Sequence, residues 1–421
     1  MINRRKFLKS MFAAGTGACC AAAFGSQKDP FAWAQTSAGN GRSLVLFNQF
    51  GGCDPLNSFT IPVGVAEYYE KRSSIAIPAD AILPLDGGIG FHPSLSNLKR
   101  IFDEENCAVI KFIGDPVGTR SHFTAQDIFS RGTTSDQDRR GWLGRLGDIY
   151  FQAEKYSTVG LGTGPKIDFL ANREENRPLV AGSLGSLTYQ RGATLDGGIP
   201  VIGDNNLKQE ILGNITGRSY ERDSSIRREV DLGHKTTQSS VSDIQAALSA
   251  YEATGDYGSD GAARYLREVS TLINGGLGTR VFYGGMGGWD NHAGQGGIEG
   301  TQAGILALVD MAIGAFEADM KAIGKWNSTA ICIFTEFGRK TFENGSGGTD
   351  HGWGSAMLVI GGGVNGGVKG PEIDTETFSE EWLPQRIDFR NAFSEMISWL
   401  GFNPAPVFPE TFEKETLGLF G

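Results

Sequence analysis

Cysteine and histidine are both scarce in this chain of 421 residues, with five of each. No CxxC pair occurs, so a thiolate zinc site is not expected. Beyond the first 34 residues only Cys53, Cys107 and Cys332 remain, an odd and widely spaced set that makes no disulfide framework. Cys107 and Cys332 sit in apolar runs and are expected to be buried small hydrophobes. No run is long enough to cross a bilayer: Met11–Phe24 is too short and too rich in Gly and Ala. A basic excess is missing too. The 38 Lys and Arg against 48 Asp and Glu give a net charge of −10, which argues against non-specific nucleic-acid binding. The 61 glycines follow no collagen-like period and no repeat; they gather at the ends of apolar runs, as tight strand-to-loop turns require.

What is present begins with an export pattern. Asn3-Arg4-Arg5-Lys6-Phe7-Leu8-Lys9, the apolar run and Ala32-Trp33-Ala34 make up a basic start, an apolar region and an A-x-A site, so residues 1–34 read as a secretory signal. Paired arginines followed by Phe-Leu-Lys resemble the twin-arginine signal. Cys19 after Thr16-Gly17-Ala18 is a poor lipoprotein match. Cleavage after Ala34 removes five basic residues and one acid, leaving 33 basic and 47 acidic residues and a charge of −14. The expectation is a periplasmic or secreted protein with no stable membrane span. Its partner during export is the twin-arginine translocase, which moves folded proteins, often with a metal in place.

Residues 42–421 carry the fold. Leu44–Phe50, Ala108–Ile113, Arg280–Tyr283, Ala330–Thr335 and Ala356–Ile360 read as strands buried on both faces. Helical patterns over Leu95–Phe102, His122–Phe129, Val241–Tyr251, Ala263–Ile273, Thr301–Ile323 and Asn391–Leu400 alternate with them. The longest should present Ile305, Leu308, Met311, Ala312, Phe316 and Met320 on one face. Alternation of this kind predicts an α/β three-layer sandwich, a mostly parallel sheet with helices on both faces. The stretch about 156–277 is polar and Gly-rich, a cap or a loop-rich insertion.

Ligands of open α/β sheets bind beyond the carboxyl ends of the strands. Asp54, Ser121, Asp290 and Glu336 each follow a predicted strand. Two histidines, His292 and His351, stand beside Asp290 and Asp350 in Gly-rich turns. Imidazole and carboxylate together suit a divalent metal. Asp290 and His292, two apart in an extended turn, point the same way. Asp350 is a ligand or the acceptor that orients an imidazole. Ser121, at a helix start, is an N-cap or a nucleophile favoured by the helix amides; Arg120 adds an anion partner, and His122 is a donor to a leaving group or a first-turn residue. Glu336 and Arg339 form a structural pair, or else a ligand and an anion clamp. His92 reads as a loop or cap residue, and His234 takes no role.

Five motifs in order, Phe50-Gly51-Gly52-Cys53-Asp54, Arg120-Ser121-His122-Phe123, Gly288-Trp289-Asp290-Asn291-His292, Thr335-Glu336-Phe337-Gly338-Arg339 and Gly348-Thr349-Asp350-His351-Gly352, resemble the secreted bacterial family called domain of unknown function 1501. That family in turn resembles a branch of the alkaline phosphatase and sulfatase superfamily. The resemblance implies an alkaline phosphatase-like fold and a metal site at the strand ends. Asp54 matches the early aspartate ligand, Ser121 the nucleophile, Asp290 and His292 the middle ligands, and His351 the late histidine. Glu336-Phe337 stands where the superfamily carries an Asp-His pair. One histidine fewer makes one ion a firmer expectation than two, drawn from Zn, Mn, Mg or Ca. Neither Cys53 nor Ser121 has the Cys-x-Pro-x-Arg context of a formylglycine sulfatase. The expected function is an exported metal-dependent hydrolase of phosphate or sulfate esters, acting on a small anionic or glycan-linked substrate. The alternative is a non-catalytic envelope or secretion protein with a vestigial site.

Overall fold

A computed structural model describes residues 41–135, 140–151, 157–162, 179–186 and 242–421. The predicted signal, residues 1–34, and His234 lie outside the described residues, as does most of the stretch 156–241.

The predicted strands form one sheet. β1 (Ser43–Phe50) lies at its centre, between β8 (Val281–Gly287) and β9 (Thr329–Phe334), parallel to both. Next to β9 runs β10 (Ser355–Ile360), antiparallel to it, and then β5 (Cys107–Gly114), antiparallel to β10. The short β11 (Gly367–Lys369) and β12 (Ile387–Asp388) pair with β5 in parallel. On the other side β6 (Thr158–Leu161) and β7 (Leu179–Ala181) extend the sheet beyond β8, also in parallel. These two strands fall inside the stretch read as a cap or insertion. Three short strands, β2 (Ile61–Pro62), β3 (Leu83–Pro84) and β4 (Ile89–Phe91), make a small separate sheet.

β1 reads as an unbroken apolar run because both of its faces are covered. Val45 and Phe47 join the core shared with α2 (Ser96–Asp103), α6 (Gly261–Asn274) and α7 (Thr301–Ala322) through Leu98, Leu266, Val309 and Phe316. Leu44 and Leu46 join the opposite core, with Phe129 of α3 (His122–Arg131), Trp142 of α4 (Trp142–Tyr150) and Phe393 of α8 (Phe389–Trp399). A short α1 (Ala66–Lys71) and α5 (residues 242–250) complete the helices named here. The architecture is therefore the α/β three-layer sandwich. No helix among the described residues is long and apolar enough to cross a membrane. Cys53, Cys107 and Cys332 are buried free thiols.

One expected face was partly right: Ala312, Phe316 and Met320 are buried as read. Leu308 of α7 is exposed, and the buried stripe holds Leu306, Val309, Ala312, Ile313, Phe316 and Met320. Apolar residues surround most of α7, so periodicity alone left its rotation open. A polar contact helps fix it: Asp310, buried, accepts from the backbone N–H of Asn97 and Leu98 and so closes the first turn of α2.

Candidate metal centre

The lone antiparallel strand shapes the site. The carboxyl ends of β1, β5, β8 and β9 share one edge of the sheet. β10 runs the other way, and its first residue, Ser355, pairs with Ile113 at the end of β5. Asp350 and His351, which precede β10, therefore emerge where the other four strands end. Glycine lets the loops touch. Gly52 has φ of +72°, and a Cβ there would stand 2.5 Å from the Phe337 ring. A Cβ on Gly348 would collide with the backbone of Asn291 and His292. Thr349 donates its N–H to the Asn291 carbonyl at 3.1 Å, tying the two loops together.

Three imidazoles and one carboxylate converge here. Nε2 of His351 lies 3.1 Å from Nε2 of His122 and 2.9 Å from Nε2 of His292. Asp290 approaches all three: Oδ1 is 3.2 Å from His351 and 3.0 Å from His292, and Oδ2 is 3.4 Å from His122. Phe337, buried, lies against the rings of His122 and His351 with centroids 4.7 and 4.8 Å away.

The other nitrogen of each ring settles its tautomer. His351 Nδ1 faces the carbonyl oxygen of Arg120 at 2.9 Å; a carbonyl only accepts, so Nδ1 carries the proton. His122 Nδ1 donates to Glu336 Oε1 at 2.8 Å, and His292 Nδ1 to Asp350 Oδ1 at 3.3 Å. In the neutral rings every Nε2 is then a lone pair, and three lone pairs and a carboxylate face one another. That arrangement is repulsive until a proton or a metal ion enters it. The 2.9–3.4 Å spacings are close to the ~3.3 Å edge of a tetrahedron of ligands ~2.0–2.1 Å from an ion. His122, Asp290 and His351 offer one ligand atom each, all within 4.8 Å of one another, and theirs is a grouping of metal-holding type among the described residues.

Charge balance is built in. Glu336's hydrogen bond raises the His122 pKa against the pull of burial. Burial lowers that of His351. Burial pushes Asp290 up, but the Arg339 hydrogen bond and charge outweigh it and hold the carboxyl below its ordinary value. Asp350 is held low chiefly by its hydrogen bond from Asn344. Asp290, Asp350 and His292 keep 44–45 % of their side-chain surface, so the centre is open to solvent.

Two expected ligands do other work. Asp54 is 1 % exposed and grips Arg72 in a two-pronged pair at 2.6 and 3.2 Å, while Gln295 and the Leu56 N–H donate to the same carboxylate. With both oxygens occupied it is a buried counter-charge, linked to the centre through Gln295 and Thr349. Glu336, also 1 % exposed, accepts at Oε1 from His122, the Gly51 N–H and Gln126, and at Oε2 from Thr335. It orients an imidazole from behind. Asp350 resolves the same way, onto His292. His122, read as a donor to a leaving group or a first-turn residue, opens the first turn of α3 and is also part of the cluster. Its signal was present in the sequence: it opens a helix beyond a strand end. Arg339 is no anion clamp, because its guanidinium is 1 % exposed and fully engaged by Gly51, Gly52, Trp289, Asp290 and Thr349. His92 is a buried loop residue that accepts from Ser94 N–H at Nδ1.

Ser121 is the N-cap residue of α3, yet its side chain caps nothing, and its hydroxyl makes no hydrogen bond among the described residues. It is exposed between Arg120, whose carbonyl holds His351, and His122. Arg120 lays its guanidinium over the Trp382 ring, 4.4 Å from the centroid.

Fold and site define an α/β-sandwich protein with a histidine–carboxylate centre at the carboxyl edge of its sheet. Residues 272–416 match the family model described as "Protein of unknown function (DUF1501)", in line with the resemblance read from the motifs. The matched stretch carries Asp290, His292, Glu336, Asp350 and His351. No curated protein matches the chain in sequence. Similar solved structures include the C-terminal periplasmic domain of EptC from Escherichia coli in complex with Zn, at 8 % identity and TM-score 0.33, covering 90 % of this chain and 91 % of that one. The lipoteichoic acid synthase LtaP from Listeria monocytogenes is similar at 8 % identity and TM-score 0.36, covering 87 % and 73 %. An alkaline phosphatase from the Antarctic bacterium TAB5 is similar at 11 % identity and TM-score 0.27, covering 82 % and 96 %. Likeness at this level carries no chemistry to this chain, and the fold assignment rests on the sheet itself.

Proposed function

We propose that this chain is an exported metal-dependent hydrolase of phosphate or sulfate esters. The observation that carries the reading is the set of imidazole Nε2 lone pairs facing one another and Asp290, each ring fixed from behind by an oxygen acceptor. His122, Asp290 and His351 would hold one ion, with His292 beside them. The donors are mostly nitrogen, which suits zinc and its neighbours better than calcium or magnesium, whose ligands are oxygens. One ion is the firmer reading than two, since Asp54 and Glu336 are engaged elsewhere among the described residues. When bound, a divalent ion lowers the pKa of a hydroxyl and steadies anionic oxygens.

The chain's own residues supply the rest. Ser121 offers an unengaged hydroxyl at the start of α3, where the first-turn amides favour an anion. Arg120 offers a fork of donors beside it. Glu336, Asp350 and Arg339 hold His122, His292 and Asp290 in place. Export through the twin-arginine route is part of the same reading, supported by Arg4-Arg5 and the segment that follows.

The test is turnover of 4-nitrophenyl phosphate, bis(4-nitrophenyl) phosphate and 4-nitrophenyl sulfate by protein loaded with zinc or manganese. The reading expects hydrolysis of at least one, lost on chelation and reduced at least about a hundredfold by Ser121→Ala if the serine is the nucleophile. Tight metal binding with no turnover of any ester would favour the alternative, a non-catalytic envelope protein.

A further inference from the structure

The connection from β5 to α3 is rigid and presents unusual residues. Asp115 Oδ1 accepts from the N–H of Val117 and Gly118, and Trp353 Nε1 donates to the Asp115 carbonyl at 2.9 Å. Gly118, with φ of +71°, packs on the Trp353 ring. On this braced loop Val117 is 58 % exposed, and in the first turn of α3 Phe123, one residue past the cluster histidine His122, is 83 % exposed. Phe123 is the sole aromatic among the exposed large hydrophobics of the described residues. Leaving a phenyl ring in water forgoes about 1.5–3 kcal/mol of burial, and this ring belongs to the chain neighbour of a cluster histidine.

Arg120 is the second observation. It is exposed, meets no carboxylate among the described residues, and lies flat over Trp382. Trp382 is itself anchored, because its backbone bridges Lys340, and its neighbours Glu380 and Glu381 accept from Thr341. A guanidinium stacked on an indole keeps its in-plane N–H fork free for an anion. In a chain of net charge −10, a fixed free cation next to the centre is the opposite of the surrounding field.

We propose that Arg120, Trp382 and Phe123 form the substrate rim, and that the substrate is an anionic ester carried on a ring with a flat apolar face. Arg120 takes the anionic oxygens, and Phe123 takes the face of the ring, a pyranose or an aryl group. The proposal rests on the metal-hydrolase reading; it adds Trp382, which no motif marked, and gives a role to Phe123, the last residue of the Arg120-Ser121-His122-Phe123 motif.

The experiment uses non-hydrolysable probes and the full exported protein loaded with zinc. Affinities for methylphosphonate, phenylphosphonate and a pyranose 6-phosphonate are measured by calorimetry, with zinc content determined on the same samples. Wild type should bind one of the ring-bearing probes about 5–30-fold tighter than methylphosphonate, and the tighter ring identifies the source. Phe123→Ala should erase that preference and leave methylphosphonate unchanged. Arg120→Gln should weaken all three by about tenfold or more. Both residues are exposed, so neither variant threatens the fold; an unchanged thermal midpoint checks this. Equal binding of all three probes by zinc-loaded wild type, or a ring preference that survives Phe123→Ala, would overturn the rim and leave the metal centre standing. A wild type that takes up no zinc would remove the metal reading instead.

Discussion

Arg339 donates from Nη2 to Asp290 Oδ1 at 2.6 Å, and with the same guanidinium holds the carbonyls of Gly51, Gly52, Trp289 and Thr349. One buried side chain thus joins the loops after β1 and β8, and the loop before β10, to its own loop after β9. It cancels part of the charge on Asp290 and fixes how the carboxylate faces the histidines. Arg339→Met should lower metal affinity by at least about 10–100-fold and cost about 3–5 kcal/mol, because several carbonyls and one carboxylate lose their donor. Arg339→Lys, a point charge without the fork, should recover little of either. Chelator competition and urea unfolding measure the two losses.

Glu336 separates orientation from ligation. Glu336→Gln keeps an acceptor for some of its donors but removes the charge behind His122. The expected result is a metal affinity reduced by about 10–100-fold with a ratio of one ion per chain still reached at saturation. A stoichiometry that fell at saturating metal would make Glu336 a ligand after all. Titration with Co(II), followed by its visible spectrum, reads both.

Asp54 should behave in the opposite way. Asp54→Asn leaves the buried Arg72 charge without its partner, a loss of about 3–5 kcal/mol in stability. Metal stoichiometry in the folded fraction should not change. Thermal denaturation and metal analysis of the same preparation separate this from His351→Ala, which should lose metal and little stability.

Much of this was legible in the residues, and the failures have physical causes. The strands beginning near Leu44, Ala108 and Ala330 were readable because both faces are buried, which leaves an unbroken apolar run. The direction of β10 was not readable, since Ser355–Ile360 looks the same run either way. That direction is what carries Asp350 and His351 to the carboxyl edge. β6, β7, β11 and β12 are only two to four residues long and leave no pattern to find. That Asp290, His292 and His351 come together was legible because Gly-rich turns put them beyond strand ends. Asp54 was misread because its partner, Arg72, lies 18 residues away on an ordinary-looking stretch. A buried ion pair leaves no local mark in sequence.

Acid should release the segment between α5 and α6. Asp319 of α7 is 3 % exposed and accepts from the hydroxyls of Tyr251, Tyr257 and Ser270 and from the N–H of Thr254 and Gly255. Burial raises its pKa, but these bonds outweigh burial and leave it below the ordinary carboxylate value. A depressed carboxylate contributes stability that is present above its unfolded value, near 3.9, and is lost as pH falls through the folded value. Wild type should therefore exceed Asp319→Asn by about 2–4 kcal/mol at pH 7, and the gap should narrow below about pH 4. Urea melts of both proteins across pH 3–7 check this; a gap independent of pH would mean the carboxylate's charge is not what the five donors hold.

The central claim is that His122, Asp290 and His351 hold a metal ion. Elemental analysis of protein purified without chelators, wild type beside His351→Ala and His122→Ala, tests it most directly. The account predicts about one ion per chain in the wild type and a near-complete loss in both variants, with folding intact by circular dichroism. A wild type without stoichiometric metal after incubation with zinc or manganese, or variants that retain as much as the wild type, would contradict it.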